Sequence, residues 1–571
     1  MARRNSRLSW RLLLLILLLV AGTGWIVARL VQVQLLHHDY YVQQAEEEHL
    51  HRTIVRAPRG AVLDRNGYPL ATTVAAFDIY VDPRTWGDDA TAIRGAAALA
   101  PVLGRDPAKL VLDVRGQDQG DYLAARSLDA TKGLQLIDDA PPGVKAVETS
   151  LRFYPEGDVA STLLGFVGRD QTGLTGLESD FDAELGGVPA EVYFERDAIG
   201  NPIPFGRKLG GEPVPGGDVR LTIDRYIQRL VEIELDKAIE QHKATGGSVI
   251  VMDPMTGEIM AMASRPSFKL SALNLNDPAQ ADLYRNRAVT DTYPPGSLMK
   301  TVTMAAAIDL GLVTPNSTFY DSGVARVQGA TIHNWDYSSR GTVTATQILQ
   351  YSLNTGAVWL SGLLGADNFY DYVQRFGFGE ATDVGLAGEG TGMFRTNTDD
   401  GWYPSDLATG SFGQSIAATP LQMITAVSAL VNGGLLMRPY IVKEVVGPDG
   451  PRSFEPVVVR RAVSPETSRT LVEMLNAVVE GVPNHLARVH GYSVGGKTGT
   501  STFTDRSTTI ASFIGFAPVE APRFIMLVKV DEPQDDRLGG VVAAPIFRTL
   551  TPQILTYLGV APDPALVDAG P

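Results

Sequence analysis

At 571 residues and 61.3 kDa the chain is too long for one compact core, and at roughly 100–200 residues per domain it should hold about three. With 44% hydrophobic and 20% charged residues it has ample material for packed domains, and its net charge of −15 excludes a phosphate backbone as the main partner, so no nucleic acid is expected. The absence of cysteine excludes a thiol nucleophile, a disulfide and any Cys-ligated metal centre.

Arg3, Arg4, Arg7 and Arg11 lead without an acid into an uncharged run from Leu12 to Ala28. Seventeen helical residues span about 25 Å, and Arg29 can snorkel while Leu30, Val31, Val33, Leu35 and Leu36 extend the apolar face, so one membrane crossing is expected over residues 12–36. A cleaved signal peptide is the competing reading, but its apolar region runs 7–15 residues and no Ala-x-Ala follows Ala21. The arginines before the anchor and the first acid at Asp39 place residues 1–11 in the cytoplasm and the body of the chain outside, in the cell membrane as a single-pass protein.

Residues 37 to about 57 are polar and helix-friendly, with Glu46, Glu47 and Glu48 in a row, and read as a stalk. From Ile54 to about Glu195, β-rich pieces such as Ala76–Val81 alternate with helical ones such as Ala90–Leu103, with turns at Asn66-Gly67 and Pro141-Pro142-Gly143. Between Gly200 and Gly217 ten of eighteen residues are Gly or Pro, which marks the main boundary. The expected organisation is a tip (1–11), an anchor (12–36), a mixed α+β pedestal (37–210), a second domain (211–555) and a tail (556–571). In the second domain Ile223–His242 has helical spacing. Ser248–Met252 and Glu258–Met262 form a hairpin around Asp253-Pro-Met-Thr-Gly257, and Thr509–Ala517 and Arg523–Val530 are late strands. Helices near Thr301–Leu310, Thr346–Leu363, Leu421–Val431 and Glu466–Val479 lie between, which predicts a sheet of N- and C-terminal strands with a helical insertion.

No His-Glu-x-x-His, Gly-x-Ser-x-Gly or Walker loop occurs, and the eight histidines have no metal spacing beyond His49 and His51, so neither metal nor cofactor is expected. What does occur, in order, is Ser297-Leu-Met-Lys300, Ser352-Leu-Asn354 and Lys497-Thr-Gly-Thr500. With 28 Ser and 11 Lys, about half a Ser-x-x-Lys match arises by chance, but the ordered triple does not. Pro294, Pro295 and Gly296 end an extended segment, so Ser297 begins a helix whose dipole favours a developing oxyanion, and Lys300 shares its face. A lysine deprotonates that serine only when neutral, which takes a pKa drop of about three units from roughly 10.4, supplied by burial among groups such as Val302 and Met304. Ser352 relays a proton, Asn354 holds a peptide group, and Lys497 adds a cation for a carboxylate. Gly495, Gly496 and Gly499 let a backbone approach closely, and the Thr500 amide completes the oxyanion hole with that of Ser297.

On these motifs the sequence resembles the class B penicillin-binding proteins, bitopic peptidoglycan D,D-transpeptidases. The resemblance runs from about Ile54 to Phe547 and includes Arg59-Gly-Ala-Val-Leu-Asp-Arg-Asn-Gly67, Ala160–Gly168, Gly173-Leu-Thr-Gly-Leu-Glu178, Arg285–Val289 and Gly410–Ser415. It implies a dimerisation-like pedestal and a serine β-lactamase-like α+β transpeptidase domain with a central antiparallel sheet flanked by helices. It further implies Ser297 as nucleophile, Lys300 as base, Ser352 as relay, Asn354 and Lys497 as substrate and proton-network residues, and Thr498 and Thr500 as carboxylate contacts, with Gly499 between them also substrate-binding. Leu298, Met299, Leu353 and Ser501 depart from the commonest family pattern without removing a reacting group. The implied partners are stem peptides, β-lactam antibiotics, and a SEDS-type glycan polymerase with other cell-wall assembly membrane proteins. Thr290-Asp291 and Asp531-Glu-Pro533 look like the division (septal) branch. The competing functions are an elongation-type transpeptidase, a D,D-carboxypeptidase or β-lactamase that hands the acyl group to water, and a non-catalytic scaffold.

Overall fold

The structure, a computed structural model, describes residues 10–41, 50–138, 141–195, 208–273, 277–328, 330–502 and 508–568. Most of the arginine-rich tip and the Glu46–Glu48 run lie outside these. The chain divides into two compact units, Met1–Pro58 with Gly187–Pro215, and Arg59–Gly186 with Gly216–Pro571.

The first unit opens with helix α1, Trp10–Val31, whose last turns widen into a π-helical stretch, Gln32–Leu36. Together they make 27 residues long and apolar enough to cross a membrane, about 40 Å at 1.5 Å per residue. The helical stalk is only partly found. His38–Tyr41 continues helical, but Leu50–Val55 is a strand, paired antiparallel with Ala190–Glu195, which in turn pairs with Lys208–Gly210. The pairing partner is some 140 residues away, so the local polar pattern carried no sign of it.

The second unit contains two large sheets. One mixes early and late parts of the chain. Its strands run in the order Gly450–Ser453, Val442–Gly447, Asp218–Leu221, Val62–Leu63, β1 (Pro69–Val81) and β2 (Tyr122–Asp129), with β3 (Val144–Phe153) also on β1. The parallel register Val62↔Val219 therefore ties the pedestal sequence to the catalytic sequence within one hydrogen-bonded layer. Helix α2, Asp89–Leu103, starts at Asp88, whose carboxylate accepts from Thr91 N, and ends at Gly104 in the left-handed region. It packs Ala92, Ala96 and Leu99 with Phe77 and Ile79 of β1 in a small core. Two of the family-like motifs meet below this sheet. Arg59 Nε donates to Glu178 (2.7 Å), Arg152 Nε donates to the other Glu178 oxygen (2.7 Å), and Arg59 also pairs with Asp182 at 2.6 Å. Glu178 is fully buried, and two guanidiniums, each bonded to a different carboxylate oxygen, offset the cost of burying it.

The other sheet is the antiparallel catalytic one. Helix α3, Arg225–His242, is capped by Asp224, whose side chain accepts from Tyr226 N and Ile227 N. It leads into β4 (Gly246–Met252) and β5 (Ile259–Arg265), the expected hairpin. The C-terminal strands β10 (Gly495–Thr502), β11 (Thr509–Ala517) and β12 (Phe524–Asp531) complete the order β5-β4-β12-β11-β10. Almost every residue of β4 and β11 is buried, as a sheet covered on both faces requires. The insertion holds α4 (Met299–Asp309), four short strands β6 (Thr318–Asp321), β7 (Val324–Val327), β8 (Ala330–His333) and β9 (Gly341–Thr344), then α5 (Ala345–Gln350), α6 (Asn354–Arg375), α7 (Pro420–Val431) and α8 (Pro465–Glu480). The α+β class, the closing of early on late strands and the helical insertion are all as the sequence implied.

Candidate active site

Ser297 sits at a turn the sequence builds deliberately. Tyr293 is held extended against Ala418, Gly296 takes a φ of +58°, and a 3₁₀ turn over Gly296–Leu298 runs straight into α4. A methyl on Gly296 would lie 2.7 Å from the Thr500 carbonyl, so only glycine lets the serine turn lie this close to β10. Ser297 is partly exposed, whereas Lys300, one turn on, is 1% exposed. The Lys300 amine lies within hydrogen-bond distance of Ser352 O (2.6 Å), Ser352 Oγ (3.2 Å) and Asn354 Oδ1 (2.8 Å). Among the described residues it forms no hydrogen bond to Ser297 itself.

Lys497 comes from β10 and is equally buried; its amine donates to Ser352 Oγ (3.0 Å) and to Thr498 O (3.0 Å). Two buried lysines thus share one serine hydroxyl, and neither forms an ion pair among the described residues. Burial, with Lys497 as a second cause, pushes the Lys300 amine well below the ordinary lysine range, and burial pushes Lys497 down to about 7. Gly499 is forced to be glycine because a methyl there would meet Ser512 Oγ at 2.3 Å and Leu298 Cγ at 2.9 Å. Thr500 Oγ1 accepts from Gly539 N at 3.1 Å, while Thr498 is partly exposed on the same strand.

The single helix expected over Thr346–Leu363 is broken in two at Tyr351-Ser352-Leu353. The N–H of Leu353 bonds Ile348 O (3.0 Å) and that of Ser352 bonds Leu349 O (3.2 Å), which is the Schellman ending of a helix. Such an ending places a left-handed residue after the cap, usually glycine, yet here it is Ser352 at φ +54°. Buried Leu353 packs the turn, so apolar spacing continues across the break and hid it from a periodicity reading. The strained backbone aims the Ser352 hydroxyl at both lysines. Ser352→Gly should therefore melt above Ser352→Ala by the equivalent of about 1–2 kcal/mol, because only alanine retains the left-handed penalty, while both lose the hydroxyl and react slowly with penicillin. Thermal melts of the pair decide it; an alanine variant as stable as the glycine one would show that the turn is unstrained.

Residues of all three sequence motifs come together here, with Lys300 and Lys497 both on Ser352. Asp321 and Asn334 contact Thr355, the residue just after Asn354 of the second motif, and carried no motif themselves; the only sequence sign was the turn-forming Asp321-Ser322-Gly323.

Family models match the chain over most of its length: a penicillin-binding protein transpeptidase domain over residues 247–551 and a penicillin-binding protein dimerisation domain over 54–221. The chain belongs to the class B penicillin-binding proteins. This class B enzyme is 35% identical to stage V sporulation protein D of Bacillus subtilis over 98% of this chain and 88% of that protein. It is 31% identical to the peptidoglycan D,D-transpeptidase FtsI of Escherichia coli K12 over 97% and 93%. Among solved structures it resembles penicillin-binding protein 3 of Mycobacterium tuberculosis complexed with ampicillin (TM-score 0.69, 28% identity, covering 91% of this chain and 98% of that one). It also resembles penicillin-binding protein 2X of Streptococcus thermophilus (TM-score 0.74, 25% identity, covering 91% and 81%). The class B protein is accordingly a serine-type peptidoglycan D,D-transpeptidase, and its N-terminal helix fits a single-pass membrane protein.

Proposed function

We propose that the class B enzyme cross-links stem peptides through an acyl-enzyme at Ser297, in septal wall synthesis. The observation that carries the site reading is the buried pair Lys300 and Lys497 joined through Ser352. Neutral Lys300 has a lone pair and Lys497 at about pKa 7 a proton to donate, so N–H of Lys497, O–H of Ser352 and the Lys300 amine make a proton path. Ser297 Oγ attacks the carbonyl of the penultimate D-Ala, its proton passes to Lys300, and the oxyanion meets the amides of Ser297 and Thr500. The proton returns to the departing D-Ala amine, and the amino group of a neighbouring stem peptide then takes the acyl group. Asn354 holds the donor peptide, and Lys497, Thr498 and Thr500 hold its carboxylate, with Gly499 giving the backbone close approach. The same geometry receives a β-lactam, whose ring amide opens on Ser297 with no leaving group to depart.

Thr290-Asp291 and Asp531-Glu-Pro533 support the septal role. In the structure Asp291, six residues before Ser297, pairs with Arg285 and Arg287, and Asp531 at the end of β12 pairs with Lys529. The reading extends to an extracytoplasmic catalytic body behind a cytoplasmic tip, with α1 packing on a SEDS-type glycan polymerase. The domain limits 37–210 and 211–555 belong to the same reading.

The test is labelling of the full chain with a fluorescent penicillin, followed by peptide mapping. The adduct is expected on the peptide holding Ser297, to persist far beyond seconds, and to be absent from Ser297→Ala. A label retained by Ser297→Ala overturns the site, and release within seconds makes the enzyme a hydrolase. Depletion of the chain in its own cells should give filaments; swollen round cells would assign it to the lateral wall.

A further inference from the structure

The insertion strands hold a fully buried carboxylate that the reaction does not use. Asp321, the last residue of β6, is 0% exposed. Its Oδ1 accepts from Gly323 N (2.9 Å), Asn334 Nδ2 (3.0 Å) and Thr355 Oγ1 (2.7 Å), and its Oδ2 from Arg340 N (2.8 Å) and Asn334 Nδ2 (3.0 Å). Burial alone would raise its pKa, but the hydrogen bonds from Thr355, Gly323, Asn334 and Arg340 outweigh it and hold the carboxyl below the usual range. It forms no ion pair among the described residues; the Arg340 guanidinium goes to Asp336 instead. A buried anion with neutral donors alone is an expensive feature for mere stability.

Two of those donors, Thr355 and Asn334, lead to the active site. Thr355 is the second residue of α6, next to Asn354. Asn334 accepts from Thr355 N at 3.3 Å and follows His333, whose carbonyl accepts from Asn354 Nδ2 at 2.8 Å. Trp335 in turn donates to Tyr351 O at 3.2 Å, on the other side of the strained Ser352. The turn that carries Ser352 and Asn354 is thus fastened at both ends to Asn334 and its neighbours, and among the described residues that turn supplies every hydrogen-bond partner of the Lys300 amine.

We infer that Asp321 is a positioning residue for acylation, holding the Ser352-Leu353-Asn354 turn against Lys300 through Thr355 and Asn334. The inference rests on the proposed site, in which Ser297 is acylated and Lys300 is its base. It gives the short β6–β9 strands a purpose beyond filling the chain between α4 and α5: they clamp the turn through Asn334, Trp335 and the His333 carbonyl.

Thr355 separates positioning from packing. Thr355→Val keeps the volume and removes the donor to Asp321, which still has its other four hydrogen bonds; Thr355→Ser keeps the donor and removes a methyl. With the full chain and saturating fluorescent penicillin, the valine variant is expected to acylate about 10²-fold more slowly, the loss typical of a reacting group misplaced by about 1 Å. The serine variant is expected close to the wild-type rate, with both folded by thermal melt. Valine as fast as wild type, or serine as slow as valine, overturns the inference. Ser297→Ala is run beside them: a labelled Ser297→Ala protein defeats the site reading, whereas an unlabelled one with a fully active Thr355→Val defeats the positioning role alone.

Discussion

Lys300→Met is expected to slow acylation by penicillin about 10²–10⁴-fold, the range supplied by a positioned general base, while the protein melts no lower than wild type. Two opposing terms set the stability. The folded chain buries the Lys300 amine without an acid beside it and must hold it neutral, whereas the unfolded chain keeps it charged in water, so wild type folds against that difference. Methionine fills a similar volume and carries no such cost. Against this, Ser352 O and Asn354 Oδ1 each lose a donor, about 1–3 kcal/mol apiece if left wholly unsatisfied. Rates with a fluorescent penicillin and melts at pH 7 check both halves. A melting temperature many degrees below wild type would mean that Lys300 is held charged and stabilising; an unchanged rate would remove it from the chemistry.

The second large effect is a stability that rises with pH. Lys497 is held at about 7 when folded and returns to about 10.4 when unfolded. Between these values the unfolded chain binds a proton here that the folded chain does not, so unfolding becomes harder by about 1.4 kcal/mol per pH unit. The penalty is fully present below pH 7 and gone above about 10.4, roughly 4–5 kcal/mol in all. Lys497→Met should therefore be more stable than wild type near neutrality, with the two converging by about pH 10. A gap that stays constant with pH would show that Lys497 is not the titrating group. The same variant removes the second cause of the depressed Lys300 amine, so the acid limb of its residual acylation should move to higher pH.

Much of this enzyme is legible in its residues, and the reason is that its chemistry is tied to short local motifs. Lys300 follows Ser297 by one helical turn, and Lys497 sits on a glycine-lined strand, so both positions survive translation from sequence to space. The late strands and the hairpin around Asp253–Gly257 were equally clear because each is a continuous apolar run ended by turn residues. What stayed hidden depended on distant partners. Leu50–Val55 falls within the stretch read as a helical stalk, and pairing with Ala190–Glu195 makes it a strand. The break at Ser352 is invisible because Leu353 keeps the apolar spacing while the lysines behind it decide the turn. Asp321 reads as one more turn-forming aspartate; its burial and its five hydrogen bonds come wholly from tertiary placement.

The left-handed serine also carries information about descent. At Ser352 the backbone alone would favour glycine by about 1–2 kcal/mol, a preference that the proposed relay role of the hydroxyl has to offset. In any lineage where cross-linking is no longer required, the first tolerated change at this turn lowers the energy of the fold. Drift there runs downhill toward Gly-x-Asn, and a chain of this type that shows glycine at the position is marked, from its sequence, as one that kept the architecture after setting the reaction aside.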